Sequence, residues 1–191
     1  MGDIIVPRDN SGHGQPLPLP ITTEQLILRR LAPGDWKDLM ECLPESDEEN
    51  ILRWLEVDST VRLTTPEQAF CLGVEVRESG KLIGYLSMRF TDDSRLQAEL
   101  SFCFNPTYEK KDAPVEALDA ALGFCFEGIK LHRVTSKCLT EDTVSSNTIE
   151  GAGLRREGEF LKDTRTEEGW VSSLCYAILD EEYLARPPAS R

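Results

Sequence analysis

The predicted strand 97–104 alternates between polar and apolar side chains, and its polar face carries groups that could do chemistry. Glu99, Ser101 and Cys103 place a carboxyl, a hydroxyl and a thiol there, because successive side chains of a strand point to opposite faces. A carboxylate whose pKa is raised by burial can serve as a general base, which contributes roughly 10²–10⁴-fold to a rate. Glu99 is therefore the candidate general base; the alternative is an exposed strand residue without a catalytic role.

The cysteines and histidines give no indication of a covalent or metal centre. The six cysteines form no CxxC pair, and no activating His or Lys pair is apparent beside Cys103 or Cys138. The two histidines, His13 and His132, lack the spacing of zinc ligands. We expect buried, reduced thiols in a cytoplasmic protein that has no metal cofactor.

The chain is strongly acidic, since 21 Lys and Arg against 34 Asp and Glu give a net charge of −13. With no excess of basic residues to neutralise phosphates, we expect no nucleic-acid partner. Seven acids and one base, Arg53, lie between Glu41 and Asp58, which favours a cationic partner such as an amine or a basic peptide end. No apolar stretch approaches the roughly 18 residues of a membrane span, so we expect no membrane contact.

The elements that must position these residues follow from hydrophobic periodicity and turn signals. The predicted strands are 26–31, 69–77, 81–90, 97–104, 132–139, 158–163 and 170–179. The predicted helices are 36–43, 46–56, 114–129 and 143–152, the second opened by a capping box between Ser46 and Glu49. This order indicates an α/β (α+β) fold with a mixed sheet in one domain, 21–185, preceded by an irregular Pro- and Gly-rich arm, 1–20, and followed by a short tail, 186–191.

Five short stretches occur at characteristic points along these elements: TEQLILR (23–29), GKLIG (80–84), AELSF (98–102), VEAL (115–118) and GLRREG (153–158). In their order and spacing they resemble the GNAT superfamily of N-acetyltransferases, and within it the RimJ/RimL-like branch that acetylates protein N-termini and small amines. The resemblance implies a GNAT fold, with a mostly antiparallel sheet of about six or seven strands flanked by about four helices. It also implies acetyl-CoA as co-substrate, a primary amine or peptide N-terminus as acceptor, direct transfer in a ternary complex, and a monomer or homodimer.

In that family the acyl-CoA pyrophosphate rests on backbone amides of a glycine-rich loop at the start of the central helix. Here Lys110, Lys111 and Asp112 replace the usual Gly-Lys-Gly, and Ala113 follows. The lysines can make charge-assisted contacts to phosphate, whereas the Asp112 carboxylate can cap the helix amides and repel it. The resemblance assigns this degenerate loop to the cofactor; the alternative is a capped helix with two solvated lysines.

The resemblance assigns further roles on both sides of the acyl-CoA. A backbone N–H near Phe102 and Phe104 would polarise the thioester carbonyl. Asp142 takes the place of a family Asn near the pantetheine, and Ser145 keeps the hydroxyl that donates to the departing thiolate in some relatives. The alternative is that Asp142 caps a short helix and Ser145 is simply a residue of its first turn.

Two hypotheses of function follow. The leading one is an acetyl-CoA-dependent N-acetyltransferase, favoured by Glu99, Ser145 and the intact framework. The other is a catalytically inactive GNAT-like binding or regulatory module, favoured by the substituted loop 110–112 and by Asp142.

Overall fold

One mixed sheet of eight strands forms the centre of the molecule in this computed structural model, which describes residues 19–61, 69–109 and 112–187. The strands are β1 (Ile21–Thr22), β2 (Leu26–Arg30), β3 (Phe70–Val76), β4 (Leu82–Phe90), β5 (Gln97–Phe104), β6 (Arg133–Leu139), β7 (Arg155–Thr166) and β8 (Gly169–Leu179). Their order across the sheet is β1-β2-β3-β4-β5-β6-β8-β7. Neighbouring strands pair antiparallel, except that β5 and β6 pair parallel.

Five α-helices lie within the described residues and cover the sheet. They are α1 (Trp36–Cys42), α2 (Glu48–Thr60), α3 (Ala113–Gly123), α4 (Thr143–Gly151) and α5 (Asp180–Leu184). A 3₁₀ turn, Pro33–Asp35, leads into α1, and a π-helical segment, Phe124–Gly128, continues α3. None of these helices is long and apolar enough to cross a membrane.

The predicted fold class is confirmed, with small differences in the count and ends of its elements. β1 and α5 were not predicted, because two and five residues are too short to show a hydrophobic period. The capping box predicted at Ser46 is wrong: α2 is capped one residue later by Asp47, whose Oδ1 accepts the Asn50 N–H at 2.8 Å. Residues 1–18 and 188–191 lie outside the described residues, so the predicted division into arm, domain and tail stays a prediction.

Two apolar clusters pack on opposite faces of the sheet. Neighbours on β3 show the division, since Leu72 belongs to the large cluster beneath α3 and α4, while Cys71 belongs to the smaller cluster beneath α1 and α2. Leu118 and Ile149 anchor the helices of the first cluster, and Leu39 anchors α1 in the second. The sheet therefore separates two helical layers, and any chemistry at β5 has a separate helix pair on each side.

Candidate active site

The strands β5 and β6 pair over only part of their length. Their parallel ladder covers three positions and ends where Glu99 lies opposite Thr135. The last link is the buried Ser136 hydroxyl, which donates to the Leu100 carbonyl at 2.8 Å. Beyond it both strands continue with no ladder pair between them, so the sheet opens between β5 and β6.

The main chain of Phe102 points into this opening. The carbonyls of Ala98 and Leu100 face β6, since they accept the Thr135 hydroxyl at 3.3 Å and the Ser136 hydroxyl at 2.8 Å. Backbone groups of alternate residues in a strand point to the same edge. The N–H and carbonyl of Phe102 therefore point to the same edge of β5, where β6 no longer pairs with it.

A cavity of about 180 Å³ lies at the opening, on the side of α3 and α4. Four residues predicted to bind the cofactor line it together: Phe102, Phe104, Asp142 and Ser145. Pro114, the second residue of α3, lines it as well. The structure thus brings the β5 residues and the first turn of α4 to one place, as the resemblance implies.

Asp142 and Ser145 lie at the start of α4 and have different roles there. The Asp142 carboxylate accepts the Ser145 backbone N–H at 2.9 Å, so the reading of Asp142 as a helix cap is confirmed. The cap involves the Ser145 backbone N–H and not its side chain. The Ser145 hydroxyl makes no hydrogen bond to any residue that the structure describes. The half-buried hydroxyl faces a small cavity and is available to a ligand.

The start of α3 differs from one expectation. Asp112 is exposed at the N-cap position, yet its carboxylate accepts no hydrogen bond from the first turn, and only its carbonyl accepts the Glu116 N–H at 3.0 Å. The hypothesis that the Asp112 carboxylate occupies these amides is therefore wrong. Ala113 begins the helix and is half-buried, whereas Lys110 and Lys111 lie outside the described residues, so their role stays a prediction.

Glu99 lies apart from this group. It sits where β5 and β6 are still paired, its carboxylate accepts from Arg89 Nη2 at 2.8 Å, and it lines a separate cavity of about 410 Å³ with Arg133 and Lys137. Glu99 shares a strand face with Ser101 but not its cavity. Glu99 therefore lies outside the cavity that Phe102, Asp142 and Ser145 share, and its role as general base stays a prediction.

A second cavity, of about 470 Å³, lies on the opposite side of the opening between α2 and the sheet. Its lining includes Trp54, Tyr85, Ser101 and Phe102. The Trp54 and Tyr85 rings pack with centroids 4.9 Å apart. Because Phe102 lines both cavities, the two meet at the residue whose main chain points into the opening.

Asp58, near the end of α2, is a wall residue of this second cavity that sequence reasoning placed only within an acidic run. Its side chain is 2% exposed, and Arg30 Nη2 lies 3.5 Å from its Oδ2. Burial raises the pKa of the Asp58 carboxyl, while the Arg30 guanidinium and Cys71 oppose that rise. Its burial depends on the packing of α2 against β2 and β3, which no local pattern shows.

Two carboxylates of α1, those of Asp38 and Glu41, hold this helix against the sheet. Lys81 Nζ lies 2.9 Å from a Glu41 oxygen and 3.5 Å from an Asp38 oxygen. Asp38 also accepts the Leu82 N–H at 2.9 Å, and Asn105 Nδ2 donates to Glu41 at 2.6 Å. The hydrogen bond from Lys81 lowers the pKa of Glu41. These carboxylates hold α1 against the start of β4 and the end of β5.

Comparison with known proteins decides the family. Residues 25–155 match the family model described as an acetyltransferase (GNAT) domain. The chain belongs to the GNAT acetyltransferase family. It is an acetyltransferase, and its mixed sheet opens between two parallel strands.

Three relatives illustrate this membership. The "Uncharacterized N-acetyltransferase YnaD" of Bacillus subtilis (strain 168) is 29% identical over 171 residues, which cover 85% of this chain and 98% of YnaD. A GNAT-family acetyltransferase structure from Bacillus anthracis is 28% identical, with a TM-score of 0.72 over 85% of this chain and 99% of that one. The microcin C7 self-immunity acetyltransferase MccE, in complex with acetyl-CoA and AMP, shares the fold at 14% identity, with a TM-score of 0.70 over 84% of this chain and 99% of that one.

Proposed function

We propose that this GNAT acetyltransferase is a RimJ/RimL-type enzyme that transfers an acetyl group from acetyl-CoA to a primary amine. The acceptor is a peptide or protein N-terminus or a small amine, and transfer is direct, within a ternary complex. The observation that carries the proposal is the opening beside Phe102, which has one cavity on the side of α3 and α4 and another on the side of α2. Donor and acceptor can thus approach one carbonyl carbon from opposite sides.

The residues of the first cavity fit an acyl thioester. The Phe102 N–H, directed into the opening, can donate to the thioester oxygen, where negative charge develops during attack. Ser145 presents a hydroxyl without a protein partner among the described residues, at the place where a thiolate would leave. Pantetheine and thioester would lie along Phe102–Phe104, while the adenosine end would extend past the start of α3.

The start of α3 can receive the pyrophosphate. No side-chain cap occupies its first turn, so the amides of Ala113 and Val115 are left to an incoming anion. Pro114 itself offers no amide, and the negative charge of Asp112 weakens the site. Lys110 and Lys111 are proposed to supply the compensating positive charge.

The chemical step follows from these positions. The ammonium loses one proton to a base or water, and the neutral amine nitrogen then forms a bond to the carbonyl carbon and gives up a second proton to solvent as the amide forms. The carbonyl–sulfur bond breaks, and the electron pair leaves on the CoA sulfur as a thiolate. The Ser145 hydroxyl donates a hydrogen bond to that thiolate until it takes a proton from solvent.

Thermal unfolding of the purified protein against an acetyl-CoA titration, with CoA and ATP as controls, tests the proposal. A ligand at about 100 times its Kd adds about 2.7 kcal/mol to the free energy of unfolding. For a domain of this size that corresponds to a rise in Tm of roughly 5–10 °C. A saturating rise specific to acetyl-CoA, followed by CoA release with peptide N-termini or polyamines, is expected. No rise at millimolar acetyl-CoA would contradict the proposal and favour the inactive module.

A further inference from the structure

Asn105, the first residue after β5, is a buried residue whose four polar atoms are all hydrogen-bonded. It is 4% exposed. Its backbone N–H donates to the Ile83 carbonyl at 2.8 Å, and its carbonyl accepts the Tyr108 N–H at 2.8 Å. In the side chain, Oδ1 accepts the Thr107 N–H at 2.9 Å, and Nδ2 donates to Glu41 Oε2 at 2.6 Å. A buried group bonded on every side is held in one orientation.

These bonds fix the turn that leaves β5, residues 105–108. Pro106, within the turn, has no N–H to donate. The two amides that remain, those of Thr107 and Tyr108, both donate to Asn105. The bond from Oδ1 to the amide two residues later is the turn that Asn and Asp side chains favour. The conformation of the whole turn therefore depends on Asn105.

The turn joins two parts of the donor-side cavity. Phe104, which precedes the turn, and Glu109, which follows it, both line the cavity of about 180 Å³, and so does Pro114 in the first turn of α3. In the proposed function, pantetheine lies along Phe102–Phe104 and the pyrophosphate lies at the start of α3. The turn thus helps to set the spacing between the strand that would hold one part of acetyl-CoA and the helix that would hold the other.

The bond to Glu41 gives a physical reason for Asn at this position. Asp could form the same turn, but only an amide can accept from Thr107 and at the same time donate to a carboxylate. Glu41 lies on α1, and Lys81 Nζ lies 2.9 Å from its other oxygen, Oε1. Lys81 and, to a smaller extent, Asn105 lower the pKa of Glu41, so this carboxyl is an anion at neutral pH. The Asn105 amide is therefore oriented by a negative charge on α1.

We propose that Asn105 is a positioning residue of the donor site: oriented by Glu41, it holds the turn 105–108 so that β5 and the start of α3 are correctly spaced for acetyl-CoA. The proposal rests on the proposed function in one respect, that acetyl-CoA lies along β5 and the start of α3. Asn105 is not among the residues that line either cavity beside Phe102, so it acts through its neighbours in the chain. Loss of its orientation should weaken acetyl-CoA binding and leave the transfer step in the bound complex largely unchanged.

Calorimetric titration with acetyl-CoA tests this on two single variants. Asn105→Asp keeps the acceptor for Thr107 but places a carboxylate against that of Glu41, and it is expected to weaken binding at least about tenfold. Glu41→Gln alters a half-exposed side chain, so it tests the same contact without a change in the buried residue. The new amide has one acceptor oxygen for two donors, Lys81 and Asn105, and a loss of about two- to fivefold is expected.

Asn50→Asp is the control for added charge, because Asn50 is exposed on α2 and lines neither of the two cavities. Its acetyl-CoA affinity is expected to stay within about twofold of that of the unmodified protein. Unchanged binding by Asn105→Asp, or an equal loss in Asn50→Asp, would overturn the proposal.

The double variant that combines Asn105→Asp with Glu41→Gln distinguishes positioning from general damage. The new glutamine can accept from Lys81 and donate to the new aspartate, which still accepts the Thr107 N–H. The contact is thus restored with its direction reversed, and the net charge equals that of the unmodified protein. Acetyl-CoA affinity is expected to return to within about threefold of the original value. An affinity no better than that of Asn105→Asp would refute the role given to the contact.

Steady-state kinetics with the best amine from the acceptor screen give a second readout. Asn105→Asp should raise the KM for acetyl-CoA at least about tenfold and leave kcat within about threefold, because the bound complex reacts as before. A fall in kcat with an unchanged KM would count against a role in positioning the donor.

Hydrogen exchange without ligand separates this inference from the proposed function. The amides of Thr107 and Tyr108 should exchange at least about tenfold faster in Asn105→Asp and recover in the double variant. If acetyl-CoA does not bind to the unmodified protein, the proposed function fails, and the exchange rates alone decide whether Asn105 holds the turn. If acetyl-CoA binds while neither exchange nor affinity responds to Asn105→Asp, the proposed function stands and the positioning role is refuted.

Discussion

Replacing Ser145 by Ala removes one hydroxyl and leaves the cap of its helix, α4, intact. The cap of α4 is made by the Ser145 backbone N–H to Asp142 at 2.9 Å, and this bond does not involve the side chain. The hydroxyl itself has no partner among the described residues and lies on the wall of the donor-side cavity. Ser145→Ala should therefore change the Tm by no more than about 1 °C, since substitutions that disturb no core packing, cap or hydrogen bond have little effect on the free energy of unfolding.

The size of the kinetic effect follows from the bond that is lost. A hydrogen bond to a charged group contributes about 1.5–3 kcal/mol, and each 1.36 kcal/mol of transition-state stabilisation changes a rate about tenfold. Loss of donation to the departing thiolate should lower kcat by roughly 10–150-fold. The KM for acetyl-CoA should change little, because the thioester sulfur of the ground state carries no charge to stabilise.

The assay is CoA release, followed with a thiol reagent at saturating acetyl-CoA and the best amine from the acceptor screen. Ser146→Ala is the matched control, since the neighbouring hydroxyl is committed to the Thr143 carbonyl at 3.4 Å. Ser145→Thr, which keeps the hydroxyl, should recover most of the rate. An unchanged kcat in Ser145→Ala would refute the reasoning, as would a fall that is matched by Ser146→Ala.

Three other substitutions probe the surrounding framework. Asp142→Ala should remove the cap of α4 and lower the Tm by roughly 2–4 °C, a loss of about 1 kcal/mol, while Asp142→Asn keeps the cap; equal Tm values for the two variants would contradict this. Gly84→Ala places a Cβ about 2.5 Å from the Cys103 carbonyl oxygen and should lower the free energy of unfolding by roughly 1–3 kcal/mol. Gly158→Ala is the control, because nothing lies within 4 Å of a Cβ there; similar Tm values for the two variants would show that β5 shifts to accommodate the Cβ. Asp112→Asn should tighten acetyl-CoA binding about two- to fivefold at low salt, as measured by calorimetry, and no change would place the phosphates away from α3.

The bounds and the two faces of β5 could be predicted from the sequence, whereas the extent of its pairing with β6 could not. Strict alternation of side chains gave the strand bounds 97–104, which the structure has as well, and it gave the correct faces. Alternation says nothing about where along β5 the ladder to β6 ends, because that depends on residues more than thirty positions away. Glu99 and Ser101 share a face, yet the ladder ends between them, and this separates Glu99 from the opening.

The candidate site was predictable where it depends on local chemistry. A short-range signal, Asp before a short helix, was enough to give the cap at Asp142 as one of two alternatives, which the structure confirms. The resemblance gave Asp142 and Ser145 places near the acyl-CoA, and in the structure both line the cavity beside β5. The burial of Asp58 could not be predicted from the sequence, because it depends on Arg30, 28 residues earlier, and on the packing of α2 on β3.

The acidic run, the seven Asp and Glu residues from Glu41 to Asp58, was expected to favour a cationic partner. In the structure its members have separate roles. Asp47 caps α2, Glu41 pairs with Lys81, and Glu49 pairs with Arg53. Exposed carboxylates of this kind are screened by salt and water, so they raise the local concentration of any cation without choosing among cations. Asp58 differs from the other carboxylates of the run, because it is buried and lies 3.5 Å from Arg30. The net charge of the helices should therefore raise the rate of encounter with a cationic acceptor and select little among acceptors.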